Sequence, residues 1–382
     1  MIDDTHDDHE HDDDFCAVCW RWDPLAALRR DTDPALDVIT TGMVFFDIIF
    51  TGLPRLPRPG EELWSAGMGS CPGGIANLAT ASARLGLRTG LVTGFGDDAY
   101  GAWMRATLAG QEHIDLSASR VFKDFHSATT VSLAFEGDRG MVSHGHELPE
   151  PLLADLSDVP RSKAAVVDLT GDIAWLGELA RRKTMVFADV GFDETERWDS
   201  ADLTGLDRCH AFTPNAVEAM AYTRTSSPKE ALHRLADLVP LAIVTDGAHG
   251  SYAIDQSTGE EAFCPALQVA AIDATGAGDV FAASCLLGTL AGWPLDQRLR
   301  LASLSSSLAV QEFGGSLAAP GWGDLSDWWR CTKRRALAGD PASSALVSDY
   351  GFMDEIVPTH AVQGVRRAHG TFAMASDAGE HA

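Results

Sequence analysis

The chain has 382 residues, 45% of them hydrophobic, enough for a sizeable core in one large domain or two. Its net charge of −26 argues against a nucleic-acid partner, whose phosphates it would repel. It has no long apolar run of the kind a membrane helix needs, and seven scattered cysteines fit reduced thiols better than a disulfide framework, so a cytoplasmic, membrane-free protein is expected.

Residues 1–35 read as an acidic, disordered tail, because eight acids and three histidines crowd its first fourteen positions and like charges repel. It has neither the basic start nor the apolar middle of a signal peptide. His6, His9 and His11 with their aspartates could catch a divalent metal, but a solvated tail is the plainer reading. Cys16 and Cys19 form a CxxC that lacks the second pair a four-cysteine zinc site needs.

From Leu36 the texture changes. LDVITTGMVFFDIIF (36–50), rich in β-branched and aromatic residues, is expected to form a buried strand, and GIANLATASARLGLR (74–88) a helix. Short apolar segments, LRTGLVTGFG, AAVVDLTG, TMVFADVG and LAIVTDG, then alternate with the helical IAWLGELARRK and PKEALHRLADLV. That alternation predicts an α/β domain over 36–320, a mainly parallel sheet with helices on both faces. Two stretches break the rhythm: the Pro/Gly-rich 50–72, and 126–147, which alternates like a hairpin around Gly137-Asp138-Arg139-Gly140. Together, from about 50–72 and 123–147, they are expected to form a small β-sheet lid over the site. Residues 321–382 form an extension; GWGDLSDWWRCTKRRALAG suggests a helix whose Trp322, Trp328 and Trp329 dock on the domain or on another subunit. The tail SDYGFMDEIVPTHAVQGVRRAHGTFAMASDAGEHA (348–382) has no clear period and is expected to end in disorder.

The stretch AIDATGAGDVFAAS (271–284) places Gly276, Ala277 and Gly278 before an acid and a long run of helix formers. A glycine turn entering a helix presents unpaired N–H groups and the positive end of the helix dipole, a natural anion site. An aspartate there would repel a merely bound phosphate, but it suits transfer of a phosphate to a hydroxyl whose proton the carboxylate accepts. The bland alternative is a helix-start aspartate favoured by the dipole.

This stretch resembles the C-terminal signature of the ribokinase-like, PfkB-type carbohydrate kinases, D-T-x-G-A-G-D-x-F, through Asp273, Gly276, Ala277, Gly278, Asp279 and Phe281, with Ala274 in place of the usual Thr and Thr275 at the variable position. Further blocks resemble the family in order: GMVFFD (42–47), PGGIANLATASARLG, GFGDDAYG, FTPNAVEA (212–219) and VTDGAHGSY (244–252). The resemblance spans roughly Leu36 to Pro320. It implies a three-layer ribokinase-like α/β fold with a small β-sheet lid, and an ATP-dependent kinase that phosphorylates a hydroxymethyl group of a sugar or sugar-like substrate. By resemblance, Asp279 is the catalytic base and Gly276, Ala277 and Gly278 are the anion hole. Asp47, Gly73, Gly74 and Asn77 match positions that hold sugar hydroxyls. Asn215 and Glu218 match the N-x-x-E pair that orders Mg²⁺ through water, and Asn215, Thr245, Gly247 and Gly250 match positions beside the nucleotide. Asp273 and Thr275, with a carbonyl from Gly314, match a potassium site in cation-activated members. Ala318 falls where those members place an oxygen ligand, which counts against K⁺ activation. A homodimer through the lid is a further arrangement to test.

Phe45 and Ile75 stand where ribokinase itself carries Asn and Lys, which makes ribose a poor fit and suits an adenosine-type nucleoside as the alternative acceptor. A nicotinamide dehydrogenase is disfavoured because GFGDDAYG has the wrong spacing for a dinucleotide turn. A Walker-type NTPase is excluded by the lack of any Gly-Lys dipeptide. A silent sugar-binding sensor is the non-enzyme alternative, and the carboxylate of Asp279, which binding alone does not need, argues against it.

Overall fold

A computed structural model describes residues 22–135, 138–152, 158–169, 173–191 and 196–358. The apolar run 36–50 is not one strand. It turns at Gly42, whose φ is 151°, and its halves join different sheets as β1 (Leu36–Thr41) and β2 (Val44–Leu53). The sequence pattern alone could not separate them, since both halves are buried on their inner faces.

β1 lies near one edge of an eight-stranded sheet. In chain order its other strands are β4 (Thr89–Val92), β9 (Ser162–Asp168), β10 (Met185–Asp189), β11 (Ala211–Phe212), β12 (Leu241–Thr245), β13 (Ser251–Asp255) and β14 (Glu260–Cys264). Their spatial order is β14-β13-β12-β11-β10-β9-β1-β4, with all pairs parallel except those of β13 with its two neighbours. Period-two alternation divides each central strand between two cores. In β9, Ala164 and Val166 face α1 (Ile75–Arg84), α6 (Ala277–Leu290) and α7 (Leu295–Ala309). Ala165 and Val167 face α3 (Ile173–Arg181), α4 (Ala216–Thr223) and α5 (Pro228–Ala236) on the other side. The result is the expected three-layer α/β arrangement.

The expected small sheet also forms. Its order is β3-β2-β7-β8, where β3 is Gly67–Gly74, β7 Ala128–Phe135 and β8 Asp138–His144. β2–β3 and β7–β8 are antiparallel pairs, joined through a parallel β2–β7 seam. One face rests on α2 (Ala99–Arg105), where Phe46 stacks on Tyr100 at 4.4 Å and meets Trp103 edge-on at 5.3 Å. The opposite face carries Asp47, Cys71, Thr130 and Ser143 in cross-strand register. A two-stranded pair, β5 (Gly94–Gly96) with β6 (Arg120–Phe122), lies outside both sheets.

Both chain ends differ from expectation. Residues 1–21, with the His-rich block and the CxxC, lie outside the described residues. Residues 22–35, expected to be disordered, are packed: Leu25 is in the core, and Arg29 bridges Asp23 at 2.5 Å and the buried Asp37 at 2.7 Å. Lys163 adds a 2.6 Å contact to Asp33. Acids and bases brought together from as far apart as Asp33 and Lys163 fix what composition alone reads as a repelling tail. At the other end α9 (Trp322–Leu337) forms and docks on the domain itself. Trp322 and Trp329 are buried, and Trp322 Nε1 donates to the Leu85 carbonyl at 2.8 Å. α10 (Pro341–Asp349) follows, and the stretch with no clear period opens on α11 (Met353–Ile356), with Tyr350 and Met353 in the core. Residues 359–382 lie outside the described residues. Among the described residues no helix is long and apolar enough to cross a membrane.

Candidate active site

Of the predicted site residues, Asn215, Glu218, Thr245, Gly278 and Asp279 line one cavity at the carboxyl ends of the parallel strands, where open α/β sheets place ligands. Gly276 has φ 73° and caps α6, and a Cβ there would come within 2.6 Å of Gly315 Cα, so only glycine fits this turn. Asp273 holds the turn. Its Oδ1 accepts from Thr275 N at 2.9 Å and Thr275 Oγ1 at 2.6 Å, and its Oδ2 accepts from Gly314 N at 3.0 Å. The Gly314 carbonyl accepts from Ala318 N at 2.8 Å. The residues expected around potassium are therefore bonded to one another. Ala277 N donates back to Ala274 O at 3.3 Å, while Gly278 and Asp279 occupy helix-start positions whose amides have no acceptor within the helix.

Asp279, in the first turn of α6, opens onto a cavity of about 180 Å³ shared with Gly278, Asp189, Asn215, Glu218 and Thr245. Burial pushes its carboxyl up to about 6, and the Asn77 side chain, donating Nδ2–H to Oδ2 at 3.3 Å, opposes that rise. A carboxylate so placed is ionised at neutral pH yet basic enough to accept a proton. Asn77 comes from α1, so this one hydrogen bond joins helices on either side of the site.

Asp47 is buried on β2, and no hydrogen bond from the described residues satisfies it. Burial, and then the charges of Asp273 and Asp279, push it up to about 7. Gly73, its neighbour on β3, is required for space, since a Cβ there would sit 1.8 Å from Asp47 Oδ2. Gly74 turns the chain into α1, with the half-buried Phe45 ring packed over it.

Asn215 and Glu218 form a reciprocal capping box at the start of α4. Asn215 Oδ1 accepts from Glu218 N, and Glu218 Oε2 accepts from Asn215 N, both at 3.0 Å. The pair thus has a structural role beside its place in the cavity wall, and one Glu218 oxygen is already engaged. Burial raises the Glu218 carboxyl. Thr245 lines the cavity at the end of β12, whereas Gly247 and Gly250 lie in the turn beyond it and do not. A Cβ on Gly250 would meet the Cys264 carbonyl at 2.2 Å, so its close packing is against β14.

Asp189 was not singled out in the sequence. It ends β10 and shares the cavity, and burial with the nearby charges of Asp279, Glu218 and Asp168 pushes its carboxyl up to about 8. An aspartate closing the apolar strand TMVFAD is the signal that could have found it. Three carboxylates and no lysine or arginine line the cavity among the described residues, but the three are not gathered closely enough to hold a metal ion as one group.

This architecture is ribokinase-like, and the match goes beyond the fold. Residues 65–321 match the pfkB family of carbohydrate kinases, and the chain belongs to that family. It is a sugar or nucleoside kinase, a phosphotransferase with an alcohol acceptor. A fructokinase of Klebsiella pneumoniae is 32% identical over 277 residues, covering 67% of this chain and 88% of that protein. A nucleoside kinase of Methanothermobacter thermautotrophicus is 27% identical over 300 residues, covering 75% and 94%. The structure of Arabidopsis thaliana ribokinase complexed with ribose and ATP superposes with a TM-score of 0.64 at 22% identity, over 75% of this chain and 96% of that one.

Proposed function

We propose that the chain transfers the terminal phosphoryl group of ATP to a hydroxymethyl group of a neutral sugar, with Asp279 as the base. The observation that carries this reading is the Asp279 carboxylate, hydrogen-bonded to Asn77 and set between the cavity and the glycine turn. The acceptor lies against Asp47 and Asn77, whose carboxylate and amide accept from and donate to adjacent hydroxyls in fixed directions. The Gly278 and Asp279 amides, with the start of α6 behind them, stabilise charge on the transferred group. MgATP supplies that group. Glu218 and Asp189 would hold its metal through water, and Asn215 and Thr245 would flank the phosphates. Asp279 takes the hydroxyl proton as the oxygen attacks, and closure of the small sheet excludes water from the transfer. Asp273 is committed to Thr275 and Gly314, so the reaction proceeds without K⁺ activation.

A nucleoside acceptor is the second reading. The half-buried Phe45 ring favours it, since it offers an apolar surface beside Asp47 on which a base could rest. Pairing of two copies through the small sheet belongs to the same proposal, because its edge strand β8 exposes Met141 and Val142.

The test is ADP release from MgATP against fructose, other neutral ketoses and aldoses, sugar acids and nucleosides, each with and without K⁺. A neutral sugar turned over at similar rates with and without K⁺, with activity lost in Asp279→Asn while ATP still binds, is the expected result. Turnover of nucleosides alone would replace the sugar with the second reading. Undiminished activity in Asp279→Asn would remove the base assignment.

A further inference from the structure

The segment 314–319, which contains the short α8 (Gly315–Ala318), touches Asp273, the glycine turn, Asn77 and β3 yet supplies no side chain to the cavity. Gly314 N donates to Asp273, the residue that holds the glycine turn. Gly315 packs against both Gly276 and Asn77: a Cβ on Gly315 would lie 2.4 Å from Asn77 Oδ1, and one on Gly276 would lie 2.6 Å from Gly315 Cα. Ser316 Oγ donates to the Pro72 carbonyl on β3 at 2.5 Å, next to the strand positions that face Asp47. The far end of the segment is gripped by one side chain. Arg84 Nη1 donates to the Leu317 carbonyl at 2.9 Å and to the Ala319 carbonyl at 2.6 Å. Its Nε and Nη2 donate to the two oxygens of Glu112 at 3.0 and 2.7 Å.

Arg84 is buried, and it stands on α1 two turns beyond Asn77, on the same side of the helix. The helix that presents Asn77 to Asp279 is thus also the helix that clamps the segment on which Asn77 and the glycine turn both rest. Desolvating a guanidinium costs several kcal/mol in general, and here an ion pair and two carbonyls satisfy it. A lysine, a point charge on a flexible stem, cannot hold Glu112 as a fork and two carbonyls at once.

We propose that Arg84 is a positioning residue for phosphoryl transfer: by fixing Leu317 and Ala319 it sets the 314–319 segment, and through it the alignment of Asn77 and the 276–278 turn with Asp279. This rests on the assignment of Asp279 as the base. Loosening the clamp lengthens the Asn77–Asp279 hydrogen bond. That bond lowers the Asp279 pKa, so weakening it moves the acid limb of the rate profile to higher pH.

The experiment uses the full chain with the acceptor found in the wild-type screen, and compares kcat, KM and the pH profile of kcat across variants. Arg84→Lys and the double variant Arg84→Met with Glu112→Gln, which leaves no unpaired buried carboxylate, should lower kcat roughly 10- to 100-fold, the scale of a misplaced reacting group. The KM for MgATP should stay within about threefold, acceptor KM should rise less than kcat falls, and the acid limb should rise by roughly half a pH unit. Guanidinium ion added to Arg84→Ala should restore part of kcat. Glu112→Gln alone, which keeps both carbonyl contacts, should leave kcat near wild type. If the Lys and double variants fold, melt at lower temperature and retain wild-type kcat and pH profile, Arg84 serves stability alone and the proposal fails. Its failure is separable from that of the base assignment, which Asp279→Asn tests in the wild-type background.

Discussion

Asp47→Asn gives a prediction in which stability and activity move in opposite directions. Asp47 is 7% exposed and has no hydrogen-bond donor among the described residues, and its carboxyl is pushed from 3.8 to about 7. A carboxyl whose pKa is raised in the folded state leaves stability intact below its ordinary pKa. Stability is then lost progressively as pH rises from 3.8 through about 7, where the loss is complete. At about 1.36 kcal/mol per pH unit, the ionised side chain costs up to about 4 kcal/mol at pH 8. Asparagine fills the same space without charge. In the ligand-free protein it should therefore raise Tm at pH 8 by up to roughly 6 °C for a chain of this size. At pH 5 about a third of the gain should remain. The assay is thermal melting of both proteins at the two pH values without ligand, paired with acceptor KM, which should rise at least tenfold if Asp47 accepts from a hydroxyl. A variant that melts lower than wild type at pH 8, or whose gain is the same at both pH values, would refute the account of Asp47 as an unsatisfied charge awaiting its ligand.

With Asp279 as the proposed base and burial pushing its carboxyl up to about 6, kcat should fall as pH drops through 6 and level off above 7, as a pH–rate profile at saturating substrates will check. Gly73→Ala would push a Cβ to 1.8 Å from Asp47 Oδ2, so acceptor KM should rise more than tenfold while nucleotide affinity, read by calorimetry, stays unchanged. Trp329→Ala removes a buried indole whose Nε1 donates to Asp354 at 2.7 Å, and should cost about 3–5 kcal/mol in urea unfolding with kcat of the folded protein preserved.

Where local pattern and tertiary role agree, the sequence was legible. The small-residue run 74–88 became α1, the apolar segments ending in Asp or Gly became the parallel strands, and the hairpin alternation at 126–147 became β7 and β8. Asp279 and Asn77, both singled out in the sequence, meet across 202 residues through a hydrogen bond that no motif announced. What escaped was what only assembly decides. The turn at Gly42 sends β2 to another sheet, and a single glycine within a hydrophobic run carries too little signal to say so. Residues 22–35 are acidic like the segment before them, and they order because Arg29, Arg88 and Lys163 surround Asp37. α10 and α11 were hidden because their apolar residues meet a surface built by α7 and α9 rather than repeating at a helical interval. Asp189 carried no motif; its place in the cavity follows from strand order.

The bonds between α1 and the segment after α7 bear on how the chain is made. Trp322 reaches back 237 residues to Leu85, and Arg84 reaches forward 235 to Ala319. At about 5–20 residues per second on the ribosome, α1 waits roughly 12–50 s for these partners. Throughout that interval Leu78, Ala81 and Leu85 can pack only on Leu25, the strands and, once made, α6 and α7, and the Trp322 side of their cluster stays open. Native contacts this distant in sequence make folding slow, and they place its completion after synthesis of the last helices. The nascent chain therefore keeps this side of α1 incomplete, a surface for chaperones to hold, until residues 319–322 have been made.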